Sequence, residues 1–407
     1  WPYPNIKTAQ KAQRFCQRIH PKNYTNIHEI SGLQCLIVDA ETTPAAKAFW
    51  QHTGFGASSR QAAIALNKER SPSSNAGAKA REAIKSQLSK IYGCEPDLIQ
   101  LHPSGMASLA TALEALKQLK PKKSVLQLGF PYVDVLKLPQ VIYEGSQLLL
   151  NPDPAELINQ LNTQKPAALI VELPSNPMLQ CLDLPLISKL AHDRGIPVIA
   201  DDTIGSAINI DPLPYADLVF TSLTKSFAGR GDILAGSLVI SPTSKWKEVF
   251  KELIQSVSTV DLFDADAIAL QEACKDVTDR ICQLNKACLA LKLRLESHPA
   301  IARVLHPELC PNFKSLMRPR SGFGSLLSFE LKGGLAKTKS FYNSLKVCKG
   351  PSLGTNFTLA CPYVLLAHYQ ELDWAAKCGV PTELIRVSVG LEEHEELWER
   401  FQKALNN

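Results

Sequence analysis

Short apolar runs alternate with amphipathic stretches through the middle of this chain. The apolar runs predict strands over 124–129, 167–172, 197–201 and 218–220, and the amphipathic stretches predict helices over 105–119, 155–161 and 184–194. Strands that alternate with helices of about ten residues form βαβ units, in which the strands are parallel. The pattern therefore predicts an open α/β sheet whose central strands are parallel and buried on both faces.

Periodic segments continue on both sides of this predicted sheet. Upstream they predict a short helix over 9–18, a strand over 33–38 and a helix over 76–92 that stops at Gly93. Downstream they predict one long helix over 265–297, strands over 325–331 and 385–389, and helices over 338–345 and 393–405. A second, smaller α/β domain is therefore expected at the C-terminal end.

Composition excludes several classes of protein. The 407 residues are 45% hydrophobic and 20% charged, and the net charge of +5 comes from interspersed charges, which gives little support to nucleic-acid binding. The longest apolar runs fall short of the roughly 18–20 residues of a membrane span. Eleven cysteines occur without a C-x-x-C pair or a Cys/His cluster at metal spacing, which predicts reduced thiols in a cytoplasmic protein and no metal site. The chain starts at Trp1 without a methionine, which indicates a truncated sequence and leaves room for a targeting segment upstream.

Candidate chemistry lies at the ends of two predicted neighbouring strands. Asp201 ends one apolar run, and Lys225 follows the next, flanked by Ser222 and Thr224. Parallel strands of an open sheet bring their carboxyl ends to one ligand-binding edge. A lysine that can form a Schiff base, an acid for a pyridinium nitrogen and hydroxyls for a phosphate are what pyridoxal phosphate requires. These residues therefore indicate pyridoxal 5'-phosphate as cofactor.

The spacing of D-x-T at 201–203 and S-x-T-K at 222–225 resembles the cystathionine γ-synthase family of Cys/Met-metabolism pyridoxal-phosphate enzymes, most closely its fungal branch. The resemblance covers about residues 47–407 in six ordered motifs. It implies a fold-type I transferase, with a large domain built on a mostly parallel sheet and a smaller C-terminal α/β domain. The expected division is an N-terminal arm and intersubunit segment at 1–75, a cofactor domain at 76–262, and a long linking helix with the substrate domain at 263–407.

Several motifs carry the cofactor contacts that the resemblance implies. S-G-M-A at 104–107 opens a helix whose amide groups suit a phosphate, and Tyr132 in G-F-P-Y-V-D is expected to stack on the pyridine ring as a catalytic residue beside Lys225. Asp201 is expected to pair with the ring nitrogen, and Asp202 to point away, since successive strand residues face opposite sides. The implied cofactor contacts are Arg60, Ser104, Gly105, Met106, Tyr132, Asn176, Asp201, Thr203, Ser222, Thr224 and Lys225.

Arg60 carries the expectation of a shared active site. It ends the glycine-rich segment 53–60, and in the family an arginine of this region reaches the cofactor phosphate of the adjacent subunit. Position 58 is serine, where a tyrosine is usual. The resemblance therefore implies a homo-oligomer, either a dimer or a tetramer of two tight dimers.

Three further motifs imply an amino-acid substrate. Asn176 lies in E-L-P-S-N-P, Ser352 in S-L-G, and Arg386 in R-V-S-V-G, where the family's arginine holds the substrate α-carboxylate. Phe357 stands where many family members place a glutamate that meets the ammonium of a second amino acid. Positions 230 and 231 also depart from the family's G-H-S-D. An aromatic side chain cannot pair an ammonium by charge, so a lyase acting on cystathionine is disfavoured.

The resemblance implies γ-substitution on an O-acyl-L-homoserine, with the acetyl ester favoured, through a vinylglycine-type intermediate. L-Cysteine is the default nucleophile. A carbon nucleophile such as a β-keto acid stays open, as do a cystathionine β- or γ-lyase and a non-catalytic relic of the fold. Intact Lys225, Asp201 and Arg386 argue against the relic.

Overall fold

The elements are taken from a computed structural model that describes residues 1–143 and 145–406. The helices are α1 (Ile6–Ile19), α2 (Thr43–Thr53), α3 (Ser59–Ala65), α4 (Ser74–Tyr92), α5 (Gly105–Leu119), α6 (Val133–Ile142), α7 (Pro154–Gln164), α8 (Leu184–His192), α9 (Lys247–Val257), α10 (Asp264–Ala273), α11 (Val277–Glu296), α12 (Pro311–Lys314), α13 (Gly334–Ser344), α14 (Tyr363–Ala367), α15 (Leu372–Lys377) and α16 (His394–Leu405). The strands are β1 (Pro2–Tyr3), β2 (Thr25–Ile30), β3 (Leu33–Val38), β4 (Ile99–His102), β5 (Val125–Leu128), β6 (Ser146–Leu149), β7 (Leu169–Glu172), β8 (Val198–Asp201), β9 (Leu218–Ser222), β10 (Gly236–Ile240), β11 (Ile301–Leu305), β12 (Leu326–Leu331), β13 (Cys348–Lys349), β14 (Leu359–Pro362) and β15 (Ile385–Ser388).

The large sheet has the strand order β4-β10-β9-β8-β7-β5-β6. Strands β9, β8, β7, β5 and β6 are parallel, whereas β10 is antiparallel to both of its neighbours. The parallel strands β5, β7 and β8 are buried along their whole length, which explains their continuous apolar sequences. The predicted α/β class with a mostly parallel sheet is confirmed.

Helix ends follow the capping residues of the sequence. The side chains of Ser73 and Ser104 accept amide hydrogens at the starts of α4 and α5. Gly93 ends α4 with φ of 70°, a conformation that side-chain-bearing residues rarely adopt. Because α5 is buried on nearly every face, its first turn is held firmly against the carboxyl edge of the sheet.

A second sheet, with the order β11-β12-β15-β14-β13, forms the smaller C-terminal unit. Its apolar core contains Leu295 of α11, Phe329 of β12, Phe341 of α13 and Phe401 of α16. The Phe329 and Phe341 rings meet edge to face, with centroids 5.5 Å apart. This unit positions β15, which carries Arg386.

The N-terminal segment packs against helices α5 and α6 of its own chain. β1, β3 and β2 form a small antiparallel sheet, and Tyr3, Phe15 and Phe49 share one apolar core with the large-sheet strands. Lys11 of α1 pairs with Glu114 of α5 at 2.6 Å. An arm that reaches a neighbouring subunit, and the domain boundaries at 75 and 262, stay predictions.

The single long helix predicted over 265–297 is wrong. The chain breaks between Ala273 and Val277 into α10, which lies along α4, and α11, which packs on β11, β12 and α16. One straight helix cannot lie against both surfaces. Arg280 stabilises the break by donating hydrogen bonds to the Ala273 carbonyl and to Asp276. Within the described residues, no helix is long and apolar enough to cross a membrane.

Candidate active site

Two carboxylates and a lysine meet at the carboxyl edge of the large sheet. Glu172 at the end of β7 is paired in register with Asp201 at the end of β8, and Lys225 lies three residues beyond β9. Glu172 and Asp201 are only 7% and 5% exposed. Burial, reinforced by the charge of Asp201, raises the pKa of Glu172 well above its usual range. The sheet thus gathers acidic and basic groups in a site of low polarity.

Lys225 is poised to act as a neutral amine. Burial, followed by the positive charge of Arg386, lowers the pKa of Lys225 to about 8, while Asp201 opposes the shift. The Nζ atom lies 3.3 Å from Ser352 Oγ. An amine of this pKa is deprotonated in an appreciable fraction near neutral pH, so it can attack a carbonyl carbon or accept a proton.

The two adjacent aspartates face different surroundings. Asp201 Oδ1 accepts the Thr203 amide at 2.9 Å, and Lys225 interacts electrostatically with this carboxyl group. Asp202 is fully buried on the other side, where it accepts hydrogen bonds from Tyr92 Oη at 2.8 Å and from Thr221. Burial raises the pKa of Asp201 to about 7 and that of Asp202 to about 6. Asp201 is therefore the one of the two that adjoins Lys225.

The first turn of α5 forms a cradle for an anion. Ser104 caps the helix through the Ala107 amide at 3.0 Å, whereas the amides of Gly105 and Met106 find no acceptor within residues 1–143 and 145–406. A Cβ atom on Gly105 would lie 2.7 Å from Ser222 Cβ, so only glycine allows this approach of helix and strand end. Free amides at the N-terminus of a fifteen-residue helix suit a phosphate.

The hydroxyl groups around this cradle have different partners. Thr203 Oγ1 accepts the Ser222 amide at 2.9 Å, which ties the ends of β8 and β9 together. Thr224 Oγ1 accepts the Ala235 amide at 3.1 Å, so this hydroxyl also fixes the return to β10. Hydroxyls placed this way position the backbone around Lys225.

Tyr132 is held at both ends by acidic groups. Its amide donates to Glu172 Oε2 at 3.1 Å, and its hydroxyl donates to Asp134 Oδ2 at 2.8 Å. Asp134 in turn contacts His52 Nδ1 at 2.8 Å and accepts from Gln51 at 3.0 Å. Burial and the negative charge of Asp134 raise the pKa of Tyr132, so the phenol stays protonated. The sequence motifs contain Asp134 but carry no signal for His52 or Gln51.

Arg386 forms the other wall of the site. It is 2% exposed, and its Nη1 donates to Asn176 Oδ1 at 3.0 Å, while Nη2 donates to the Ser352 carbonyl at 3.1 Å and to the Pro351 carbonyl. The guanidinium lies over the Tyr363 ring, 5.0 Å from its centroid. A continuous set of contacts therefore joins Arg386 to Asn176 and, through Ser352, to Lys225.

Phe357 and Arg60 lie at the loop of residues 229–232 rather than against Lys225. Phe357 is 38% exposed, and a Cβ atom on Gly231 would lie 3.5 Å from its ring. Arg60 donates to the Asp232 carbonyl at 2.8 Å and to Asp266 Oδ1 at 3.3 Å. The reach of Arg60 into a neighbouring subunit stays a prediction.

Comparisons with curated proteins agree on one family. The family model described as "Cys/Met metabolism PLP-dependent enzyme" matches residues 37–406. A cystathionine gamma-synthase of Neurospora crassa is 36% identical over 340 residues, which cover 80% of this chain and 54% of that protein. A cystathionine gamma-synthase of Saccharomyces cerevisiae is 36% identical over 344 residues, covering 75% of this chain and 53% of that protein. The chain thus spans about half the length of these curated relatives.

A relative with another activity and a solved structure complete the comparison. An L-2-amino-4-chloropent-4-enoate dechlorinase/desaturase of Streptantibioticus cattleyicolor is 31% identical over 406 residues, covering 93% of this chain and 80% of that protein. The crystal structure of cystathionine gamma synthase from Xanthomonas oryzae pv. oryzae in complex with aminoacrylate and cysteine aligns with a TM-score of 0.73 and 23% identity, covering 84% of this chain and 88% of that one. This structural likeness supports the fold.

Proposed function

From the premise that this chain belongs to the Cys/Met-metabolism family of pyridoxal-phosphate-dependent enzymes, we propose that it replaces the γ-substituent of an O-acyl-L-homoserine, with the acetyl ester as the preferred substrate. The observation that carries this proposal is the set of contacts from Arg386 through Ser352 to Lys225. These contacts bring the Arg386 guanidinium, a group that can pair with a carboxylate, close to a lysine of lowered pKa, which supports an α-amino acid as substrate.

The residues present fit the family's cofactor. The glycine cradle at Gly105 suits the phosphate, the buried Asp201 suits a protonated ring nitrogen, and Tyr132 suits the ring face. Lys225 would hold the cofactor through Nζ. When bound, pyridoxal phosphate supplies an electron-accepting ring that stabilises negative charge on the substrate.

The chain's own residues would bind the substrate carboxylate, transfer protons and stabilise charge at the site. Nη1 and Nη2 of Arg386 donate to three protein oxygens within the described residues, so a bidentate α-carboxylate would replace at least one of these partners. Lys225 Nζ takes the proton from Cα and later delivers protons further along the side chain. Asp201 keeps a positive charge on the ring side of the site, and the protonated Tyr132 hydroxyl stays bonded to Asp134.

Asp201→Asn is expected to reduce kcat by about 100-fold, because a charge-assisted hydrogen bond of about 3 kcal/mol is lost. Bound cofactor, measured by its absorbance, should be retained. Asp202→Asn serves as the matched control, since Asp202 contacts Tyr92 and Thr221. It should lower the melting temperature while leaving exchange of the substrate α-proton, followed by NMR, within about threefold of wild type. The reverse ranking would show that Asp202 faces the cofactor.

The reaction type can be tested with the wild-type protein. We expect O-acetyl-L-homoserine and L-cysteine to give cystathionine, detected by mass spectrometry. A carbon nucleophile is the second candidate, because Phe357 offers an aromatic surface where a carboxylate would recruit an ammonium. If 2-oxobutanoate and ammonia are instead the main products with either nucleophile, the substitution proposal is wrong and a lyase takes its place.

Phe357→Glu should shift preference towards nucleophiles that bear an amino group, because a carboxylate at this exposed position attracts an ammonium. We expect the ratio of kcat/KM for cysteine over a β-keto acid to rise by up to about fivefold, which corresponds to a surface ion pair of up to about 1 kcal/mol. Phe357→Leu keeps the position apolar and is the control. If this ratio of kcat/KM values is unchanged in Phe357→Glu, then Phe357 only packs against the loop of residues 229–232.

The same proposal includes a homo-oligomer in which Arg60 reaches the site of a neighbouring subunit. Arg60 is the charged end of the segment after α2, and its side chain is 21% exposed. Mixing Arg60→Ala with Lys225→Ala protein should restore activity above either variant alone, since hybrid subunit pairs regain one complete site. A fully active monomer by light scattering would contradict the shared site.

A further inference from the structure

Two thiols outside the proposed chemistry lie against each other in the apolar core of the large sheet. Cys181 follows the turn that carries Asn176, and Cys310 immediately precedes α12, in the excursion that joins β11 to β12. The Cys181 amide donates to Cys310 Sγ at 3.3 Å, and that sulfur lies 3.6 Å from the Cys181 carbonyl oxygen. Cys310 is half-buried, so a small oxidant can reach it, whereas Cys181 is 5% exposed.

The surroundings of Cys310 stabilise a thiolate. The Cys181 amide donates to this sulfur at 3.3 Å, and hydrogen bonding from the Cys181 side chain and nearby backbone lowers the pKa of Cys310 to about 5 although burial opposes the shift. Burial, the contact with Cys310 and the nearby charge of Glu172 raise the pKa of Cys181. Of the two thiols, Cys310 is therefore the more acidic and the more exposed, and Cys181 is the more basic and the more buried.

We propose that Cys310 and Cys181 are a peroxide-sensitive thiol pair that closes reversibly to a disulfide between the β11–β12 excursion and the loop that carries Asn176. Cys348, by contrast, is exposed and is not part of this thiol pair. The proposal does not depend on which nucleophile the enzyme uses.

The chemistry of closure is balanced with hydrogen peroxide as the oxidant. Cys310 thiolate attacks one peroxide oxygen, the O–O bond breaks, and protonation gives a sulfenic acid and one water. The Cys181 sulfur then attacks the Cys310 sulfur, the S–O bond breaks, and the Cys181 proton leaves with the hydroxyl as a second water. Each sulfur supplies one of the two electrons that reduce the peroxide, and a dithiol reductant reverses the cross-link.

The position of the pair links it to the substrate end of the site. The turn from Ser175 to Gln180 is held by the Ser175 amide donating to the Gln180 carbonyl at 2.9 Å. Asn176 in this turn accepts from Arg386. Drawing the two sulfurs to the bond length of about 2.05 Å pulls on this turn, so oxidation should raise KM for the amino-acid substrate. This consequence rests on the proposed function, whereas the cross-link does not.

The test uses the full chain with its eleven cysteines fully reduced. At pH 6 a Cys310 thiol with a pKa of about 5 should be largely ionised, whereas a thiol of ordinary pKa is less than about 1% ionised. After peroxide treatment and blocking of free thiols, non-reducing peptide mapping should find one Cys181–Cys310 peptide pair that disappears with dithiothreitol. Absence of that pair, or preferential alkylation of Cys348 over Cys310 at pH 6, overturns the proposal.

Three variants, each with one cysteine replaced by serine, test the role of each thiol in the cross-link. Cys181→Ser should lose the cross-link but trap a sulfenic acid on Cys310, detected as a dimedone adduct. Cys310→Ser should show neither product, and Cys348→Ser should cross-link as the wild type does. The wild-type peptide map decides the question even if a variant fails to fold. Cross-linking that leaves KM unchanged contradicts the coupling to Asn176, and a wild type that cross-links but lacks γ-substitution contradicts the proposed function alone.

Discussion

Lys225→Ala is expected to lower turnover by about 10⁴-fold or more, because one side chain supplies both the covalent attachment and the proton transfer. Its amine is the strand-end lysine whose pKa burial lowers to about 8. Borohydride reduction of the wild-type holoenzyme followed by peptide mapping should place the cofactor on Lys225. A label on another lysine would contradict the assignment.

Lys349 provides a matched control for this experiment. Burial and the charge of Lys346 also lower the pKa of Lys349 to about 8, but its Nζ donates to the Tyr342 carbonyl at 2.7 Å, in the small domain. Lys349→Ala should therefore retain activity within about twofold of wild type. Comparing Lys225→Ala with Lys349→Ala therefore separates the effect of the lysine's position on activity from the effect of its lowered pKa.

The pH dependence of cofactor capture follows from the same pKa. Only the neutral amine attacks the aldehyde, so the rate at which cofactor-free protein binds pyridoxal phosphate should rise with pH and level off above about 8. A rate that continues to rise towards the usual lysine pKa near 10.4 would show that the attacking amine is not in a desolvated site.

Arg386 is the second position where a large effect is expected. Both Arg386→Ala and Arg386→Lys should raise KM for O-acetyl-L-homoserine by about 100-fold or more, since two charge-assisted hydrogen bonds of about 1.5 kcal/mol each are lost. Lysine should be nearly as damaging as alanine, because a point charge does not reproduce the guanidinium fork. A lysine variant within about threefold of wild type would show that charge alone suffices.

Arg303→Ala is the control for Arg386. Arg303 lies on β11 of the same small sheet, where it pairs with Glu330, and its side chain is 47% exposed. Its removal should leave KM unchanged, since exposed ion pairs contribute little. Melting temperatures of all three variants distinguish a lost substrate contact from a lost fold, because Arg386 is itself buried against Asn176.

The sequence alone was sufficient for the strands that carry the chemistry. The apolar runs that end at Asp201 and precede Lys225 predict β8 and β9, because buried parallel strands require continuous apolar residues. The prediction failed at 265–297, where α10 and α11 turn at residues 274–276. Helical periodicity continues through that segment, and only packing on α4 and on the small sheet imposes the break.

Motif spacing by itself determined the family and identified Lys225, Asp201 and Arg386 as candidates, because each lies in a local pattern of neighbours along the chain. Only the tertiary structure decided which groups that are distant in the sequence contact each other. His52 reaches Asp134, and Cys181 reaches Cys310 across 129 positions of the chain. Hydrogen bonding and desolvation depend on distances in space that no sequence interval specifies, so the lowered pKa values of Lys225 and Cys310 arise only in the folded chain.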